Sequence, residues 1–169
     1  ASDEDGDTVS YDYAWTVNGT LVATSSSLTG ASFARGDSVS CEVTPRDDAD
    51  PGSPVTTSAV TVANSPPVAV SVVLTPTEPT TGDTIVAEST SIDLDGDAVT
   101  WVYSWTVDGV RIAASAASIE GSTWFARGQL VQVEVTPFDG IDSGSALAST
   151  SVEVVNAGPS VASAAISPA

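Results

Sequence analysis

Aspartates at alternate positions occur twice in this chain, each time directly before an aromatic-rich segment. The first set is Asp3, Asp5 and Asp7 in "SDEDGDTVSYDYAWTVNG", and the second is Asp93, Asp95 and Asp97 in "SIDLDGDAVTWVYSWTVDG". Hard divalent cations prefer oxygen ligands, and calcium takes about six to eight of them. A glycine after the second aspartate lets the backbone curl and bring the carboxylates together. The spacing therefore predicts a cation-binding loop in each copy.

The two loops belong to a longer internal repeat. "DxDGD" recurs at a spacing of 90 residues, from Asp3 to Asp93, and "FARG" and "EVTP" recur at 92, from Phe33 to Phe125 and from Glu42 to Glu134. Small insertions account for the difference and are expected in loops. The chain is therefore interpreted as residues 1–64, a partial repeat without its first two strands; 65–156, a complete repeat; and 157–169, a further first strand.

Period-two alternation and turn residues predict about seven short antiparallel strands in the complete repeat. They are expected at 68–75, 84–90, 99–107, 110–114, 117–125, 130–136 and 146–155. The dipeptides "NG" at Asn18 and "DG" at Asp108 predict two-residue hairpin turns. No convincing helix is found. The predicted fold class is all-β, with tandem immunoglobulin-like antiparallel β-sandwiches of about 90 residues.

Three aspartates do not fill a calcium shell, so the other loop at the same end of the sandwich must contribute. That loop reads "TPFDGIDSG" in the complete repeat and "TPRDDADPG" in the first, which offers Asp50 as well. The candidate metal ligands are Asp3, Asp5, Asp7, Asp47, Asp48, Asp93, Asp95, Asp97, Asp139 and Asp142. A cation there would also stiffen the junction between repeats. Solvated acidic turns are the alternative, and magnesium is the alternative to calcium.

Composition limits the possible functions. Acidic residues outnumber basic ones by 22 to 4, there is no histidine, and the net charge of -18 disfavours nucleic acid and anionic lipid as partners. No apolar run reaches the roughly 18 residues of a membrane-spanning helix. Cys41, the only cysteine, alternates with Val39 and Val43 and is expected to face the core. Without a plausible nucleophile and base, no catalytic activity is expected.

Aromatic residues raise a rival interpretation, a carbohydrate-binding or accessory module of a secreted protein. Trp101, Tyr103 and Trp105 would form a sugar-stacking face if they were exposed, as would their counterparts Tyr11, Tyr13 and Trp15. Their register with flanking valines favours the core instead. Trp124, at an insertion without an aromatic counterpart, is expected either to contact a neighbour or to pack at an edge.

Together the "N-x-P-P" linker, the "DxDGD" loop, the "Y-x-W-x-V-(N/D)-G" hairpin and the "VTP-x-D-G" segment resemble the tandem immunoglobulin-like repeats of large bacterial surface and secreted proteins. The chain is also similar to PKD-type and cadherin-like repeats. The resemblance implies an extracellular or cell-surface sandwich array, often stabilised by calcium, that serves as a stalk, adhesin body or filament. Its partners would be neighbouring repeats or identical subunits in a linear assembly, with glycans possible and membrane insertion excluded.

The last segment copies a first strand, since Ala162, Ala164 and Ile166 match Val70, Val72 and Leu74. An apolar strand of this kind must pack on something. It would either begin the next repeat of a longer array, which is favoured, or complete the first repeat of another subunit by strand donation.

Overall fold

The computed structural model describes residues 2–4, 6–161 and 163. The chain divides into unit 1, Ala1–Ser65, and unit 2, Pro66–Ala169. Both units consist of antiparallel strands, as predicted, and the helical turns among the described residues are Gly30–Ser32 and Gly121–Trp124 (α1). The final strand predicted at 157–169 falls largely outside the described residues.

Unit 1 has all of its described strands in one sheet. They are β1 (Ser10–Val17), β2 (Thr20–Ala23), β3 (Ser38–Arg46), β4 (Val55–Thr56) and β5 (Val60–Thr61). The order is β2-β1-β3-β4, and β5 also pairs with β3.

Unit 2 has two sheets. One contains β6 (Val68–Thr75), β7 (Thr84–Ile92) and β10 (Ser118–Glu120), in the order β10-β7-β6. The other contains β8 (Thr100–Val107), β9 (Val110–Arg111), β11 (Leu130–Phe138), β12 (Leu147–Ala148) and β13 (Val152–Glu153). Its order is β12-β11-β8-β9, with β13 also paired to β11. This arrangement is compatible with an immunoglobulin-like β-sandwich.

The core of unit 2 lies between these sheets and follows from strand alternation. Trp105 on β8 and Val133 on β11 are paired and have no exposed surface. Ile85 of β7, from the facing sheet, is likewise fully buried and belongs to the same apolar cluster. Because neighbouring residues on a strand point to opposite faces, the alternate apolar residues of the two sheets meet across the sandwich.

Both predicted hairpin turns are present. Asn18 and Gly19 have φ angles of 50° and 78°, and Asp108 and Gly109 have 50° and 76°. Positive φ at both central residues defines the type I′ turn, whose twist matches the flanking strands. The dipeptides "NG" and "DG" therefore fix the register of β1 with β2 and of β8 with β9.

In each unit a side-chain hydrogen bond connects the hairpin turn to the loop before the next long strand. The carboxylate is on the turn in unit 2 and on the loop in unit 1, and the amide is on the opposite side in each case. In unit 2 the Gln129 amide donates to Asp108 Oδ2 at 2.9 Å, whereas in unit 1 the Asn18 amide donates to Asp37 Oδ1 at 2.7 Å. The backbone N–H of Ala34 and then the Asn18 amide lower the pKa of Asp37. The two repeats thus keep the bond while exchanging its donor and acceptor.

The segment predicted as a strand at 117–125 is wrong beyond Glu120. There the chain forms α1, and Gly121 donates its N–H to the carbonyl of Asp83 at 2.9 Å. A Cβ on Gly121 would lie 2.6 Å from both the carbonyl oxygen of Thr81 and the ring of Phe125. The tight approach to the β6–β7 turn therefore ends the strand.

The last predicted strand, 146–155, is interrupted between β12 and β13. At the interruption Ser149 donates its N–H to the Val133 carbonyl at 2.8 Å, and its hydroxyl accepts from the Val133 N–H at 3.2 Å. In unit 1, Thr57 does the same for Cys41, at 2.9 Å and 3.1 Å. A hydroxyl thus replaces a backbone carbonyl in the ladder, which keeps the buried N–H satisfied.

Some apolar residues on the single sheet of unit 1 are exposed, although the equivalent residues of unit 2 are buried. Val60 pairs with Val39 as Val152 pairs with Val131, so both valines lie on the equivalent face. Val60 is 67% exposed, whereas Val152 is 7% exposed. Because residue type and register are the same, the difference comes from the facing sheet, which among the described residues only unit 2 has.

These two valines form a matched test. We expect Val152→Ala to lower the free energy of unfolding of unit 2 by about 1 to 3 kcal/mol, because buried methyl groups are lost. Val60→Ala should change that of unit 1 by less than about 0.5 kcal/mol. Guanidinium unfolding of each variant measures both values, and equal losses would contradict the assigned faces.

Asp83 closes the turn between β6 and β7. Its Oδ2 accepts hydrogen bonds from the backbone N–H of Thr80 at 2.7 Å and from the Thr80 hydroxyl at 2.8 Å. These two donors, the backbone one first, lower the pKa of Asp83 below its usual 3.8. Hydrogen bonds to the ionised form favour that form.

The lowered pKa makes this turn sensitive to acid. The ionised Asp83 carboxylate contributes fully to the stability of unit 2 above the unfolded pKa of 3.8. That contribution is lost as the pH falls through the lower pKa of the folded state. We expect the melting temperature of unit 2 to fall less in Asp83→Asn than in the parent chain when the pH is lowered below about 4. Thermal unfolding at several pH values measures this difference. An acid loss identical to that of the parent chain would contradict this role.

Candidate metal centre

The loop between β7 and β8 folds around the side chain of Asp93. Its Oδ1 accepts the backbone N–H of Asp95 at 2.9 Å and that of Asp97 at 3.1 Å. Gly96 has a φ of 79°, which is the left-handed conformation that the loop needs. The residue types and spacing recognised in the sequence thus build the loop itself.

This curl brings three carboxylates together. Asp93, Asp95 and Asp97 each have a carboxylate oxygen within 4.8 Å of the other two, and each side chain is partly buried. Among the described residues, this is the acidic cluster with the spacing of a metal site. Asp93 Oδ2 is buried and has no hydrogen-bond partner. The cluster can therefore offer several oxygen ligands to one hard cation.

The second acidic loop lies at the same end of unit 2. Thr100, the first residue of β8, pairs with Phe138, the last residue of β11, and its hydroxyl donates to the Phe138 carbonyl at 3.1 Å. The loop after β11 begins with Asp139, which is only 8% exposed. Asp139 Oδ1 accepts the N–H groups of Ile141 and Asp142, both at 2.7 Å. Asp139 and Asp142 flank this end but are outside the three-carboxylate cluster.

Unit 1 repeats parts of this arrangement. Asp3 Oδ1 accepts the N–H of Asp7 at 3.2 Å, as Asp93 does from Asp97. Asp47 Oδ1 accepts the N–H groups of Ala49 and Asp50 at 2.8 Å and 2.7 Å, and these bonds, that of Asp50 first, lower the pKa of Asp47. Both loops therefore use their first aspartate to hold the backbone.

The two acidic loops of unit 1 meet at a cavity of about 100 Å³. Its lining consists of Ser2, Asp3, Val9, Pro45, Arg46, Asp47, Asp50 and Gly52. Of the predicted ligands, Asp3 and Asp47 both line this cavity, while Asp48 and Asp7 are exposed and do not line it. Asp5 lies outside the described residues.

Arg46 was not recognised as part of this region from the sequence. It occupies the position of Phe138 in unit 2, and its guanidinium pairs with Asp12. The sequence shows the change itself, since "TPRDDADPG" has an arginine where "TPFDGIDSG" has an aromatic residue, but it does not show the pairing with Asp12. Unit 1 therefore carries a positive charge at a place where unit 2 has none.

Of the aromatic residues considered for sugar stacking, those of unit 2 pack towards its core, whereas Tyr11 of unit 1 is 44% exposed. Trp105 is fully buried, and Trp101 and Tyr103 pack against the apolar cluster. The Trp105 indole donates to the Ala116 carbonyl at 2.9 Å. Trp124 is partly buried and packs against the same cluster, which supports edge packing.

Cys41 also takes its predicted place. Its side chain is a free thiol, only 4% exposed, and Cys41 is paired with Trp15 across β1 and β3. A buried thiol of this kind packs as a small apolar group.

Comparison with models of known protein families found no match, and comparison with curated protein sequences found none either. Among the described residues, no helix is long and apolar enough to cross a membrane.

Proposed function

We propose that this chain is a calcium-stabilised structural repeat of an extracellular filament or surface stalk. The observation that carries the proposal is the cluster of Asp93, Asp95 and Asp97 at one end of a β-sandwich. The cation neutralises the loop and holds it in the conformation that connects β7 to β8. Its function is mechanical, and no step of chemical catalysis is involved.

Electrostatic repulsion gives the first argument. Two unit charges about 5 Å apart repel by roughly 1 kcal/mol in water and by about 3 kcal/mol at the effective dielectric constant near a protein surface. Three such pairs act among the clustered carboxylates. The chain has a net charge of -18, so it has too few basic side chains to offset the repulsion among these carboxylates. A divalent cation removes it directly.

The orientation of Asp93 gives the second argument. One carboxylate oxygen is used by the loop backbone, while the other is buried without a hydrogen-bond partner. A buried acceptor left unpaired costs about 1 to 3 kcal/mol, and more when it is charged. A cation ligated by Oδ2 satisfies this oxygen. The same residue then serves both the backbone and the metal.

The remaining ligands come from groups at the same end of the sandwich. Calcium accepts side-chain and carbonyl oxygens and water in a flexible shell, whereas magnesium demands a near-ideal octahedron and keeps much of its water. A cluster of three carboxylates on one loop, with further oxygens nearby, favours the larger ion. Asp139 and Asp142 are suited to complete the shell from the adjacent loop.

The residues outside the acidic loops favour a structural role over catalysis or sugar binding. The sequence has no histidine, and the only thiol, Cys41, is buried. Trp101, Tyr103 and Trp105 pack towards the core, so they do not favour a sugar-binding surface. The internal repeat instead favours a linear array of similar sandwiches, in which each unit contributes length.

Calcium is expected to stabilise unit 2. At a free calcium concentration about 100 times the dissociation constant, the gain is about 2.7 kcal/mol, and removal by a chelator should reverse it. Thermal unfolding with calcium, with magnesium and with chelator measures the effect. Identical curves in calcium and chelator would contradict the proposal, and an equal shift with magnesium would contradict calcium preference.

Asp93→Asn sharpens this experiment. The amide oxygen still accepts the loop N–H groups, but the amide nitrogen that replaces Oδ2 has no lone pair for a metal. We expect at least about a tenfold loss of calcium affinity by isothermal titration calorimetry. Glu153→Gln is the control, because it removes the same charge from an exposed position on β13. Equal losses in both variants would indicate nonspecific charge attraction.

The structural role has its own test. Electron microscopy of the protein with calcium should show regular rods or fibres, and binding to an array of glycans should be absent. Saturable binding to one glycan class, abolished by substitution of an aromatic residue, would contradict the proposal in favour of a carbohydrate-binding module.

A further inference from the structure

One face of the unit 1 sheet has the same apolar pattern as the covered face of unit 2, and among the described residues no second sheet packs on it. Across β1 and β3 the pairs are Tyr13 with Val43, Trp15 with Cys41, and Val17 with Val39. Across β8 and β11 the equivalent pairs are Tyr103 with Val135, Trp105 with Val133, and Val107 with Val131. The unit 1 sheet therefore presents a face suited to the same kind of partner.

Exposure shows what this face lacks. In unit 2, Val131, Val133 and Val135 have no exposed surface because residues of β6, β7 and β10 pack on them. In unit 1, Val39 and Val43 remain partly exposed, although Cys41, the equivalent of Val133, is only 4% exposed. Val39 and Val43 on β3 thus differ from their unit 2 counterparts in the same direction as Val60 differs from Val152.

A missing strand gives an independent observation. In unit 2, β10 pairs with β7, and Ile119 is only 2% exposed. In unit 1 the equivalent residues 27–29 form no strand, and Leu28 is partly exposed. The Trp15 indole still donates to the Ser25 carbonyl at 3.0 Å, as Trp105 does to Ala116. The chain beside residues 27–29 is therefore anchored to Trp15 as its counterpart is anchored to Trp105. Among the described residues, unit 1 has no strand equivalent to β7 that could pair with residues 27–29.

The cavity of unit 1 marks where such a partner would enter. In unit 2, a Cβ on Gly144 would lie 1.8 Å from the carbonyl oxygen of Pro67, the residue that leads into β6. The equivalent Gly52 lines the unit 1 cavity, and the three atoms nearest to a Cβ built there all belong to Pro45, the first at 2.9 Å. The space taken by Pro67 in unit 2 therefore corresponds to the cavity in unit 1.

We propose that the face of the unit 1 sheet that carries Val39, Cys41 and Val43 is a docking surface for a β-hairpin of the β6–β7 kind. The hairpin pairs its second strand with residues 27–29, places its apolar residues over β1 and β3, and fills the cavity beside Gly52. Unit 2 provides the template, because its own hairpin makes these contacts with the equivalent residues. This inference does not depend on the metal site.

The test supplies the hairpin in the full chain. A second copy of residues 66–92 is fused directly before Asp3, and amide hydrogen exchange is followed by mass spectrometry. We expect exchange in β1 and β3 to slow by at least about tenfold and residues 27–29 to become protected. Unchanged exchange in these segments would overturn the proposal.

A matched fusion controls for chain length. In the added copy only, the positions of Leu74 and Ile85 are changed to aspartate, which removes the inward apolar groups but keeps the turn. This fusion should leave exchange in β1 and β3 at the level of the parent chain. Equal protection by both fusions would overturn the proposal, because the apolar face would not be what binds the hairpin.

The parent chain tests the competing occupant, a second copy of itself. As the concentration of the parent chain is raised and its sedimentation followed, the β1 and β3 amides should exchange at a constant rate. A dimer that protects these amides would overturn the proposal, since the face would then be an interface between copies.

Discussion

The packing of one sheet on another is the constraint on which this protein depends. A β-sheet with an apolar face gains stability when that face is removed from water, and a domain of this size has little core to spare. In unit 2, Trp105 and the valines of β11 are covered completely by the facing sheet. In unit 1 the same register exists without the second sheet, and the valine at position 60 remains in solvent.

The acidic loops depend on this packing for their position. Because β8 and β11 are paired from Thr100 and Phe138 onwards, the loops that precede β8 and follow β11 emerge at one end of the sandwich. The rigid pair of strands fixes where the carboxylates lie, and the loop backbone fixes how they point. Bringing like charges together in this way costs free energy, which a cation offsets. The sandwich and the proposed metal site are therefore parts of one arrangement.

Much of the fold could be predicted because local signals and the global packing agree. The strand at 68–75 was predicted with its observed bounds, the turns at Asn18 and Asp108 have the expected backbone, and Cys41 is buried. The errors have physical causes that a strand pattern does not contain. The strand after Glu120 ends because Gly121 packs against the backbone of Thr81, and the last strand is divided where a serine hydroxyl enters the ladder.

The candidate site was predictable to a lesser degree. Spacing identified Asp93, Asp95 and Asp97 because the three lie in one short loop, whose geometry is local. The relation of Asp139 and Asp142 to that loop depends on long-range strand pairing, which sequence patterns specify only approximately. The most direct measurement is anomalous X-ray scattering from crystals of the chain grown with calcium. The account predicts a peak about 2.3 to 2.6 Å from Asp93 Oδ2 and from oxygens of Asp95 and Asp97. No peak at this cluster under saturating calcium would contradict it.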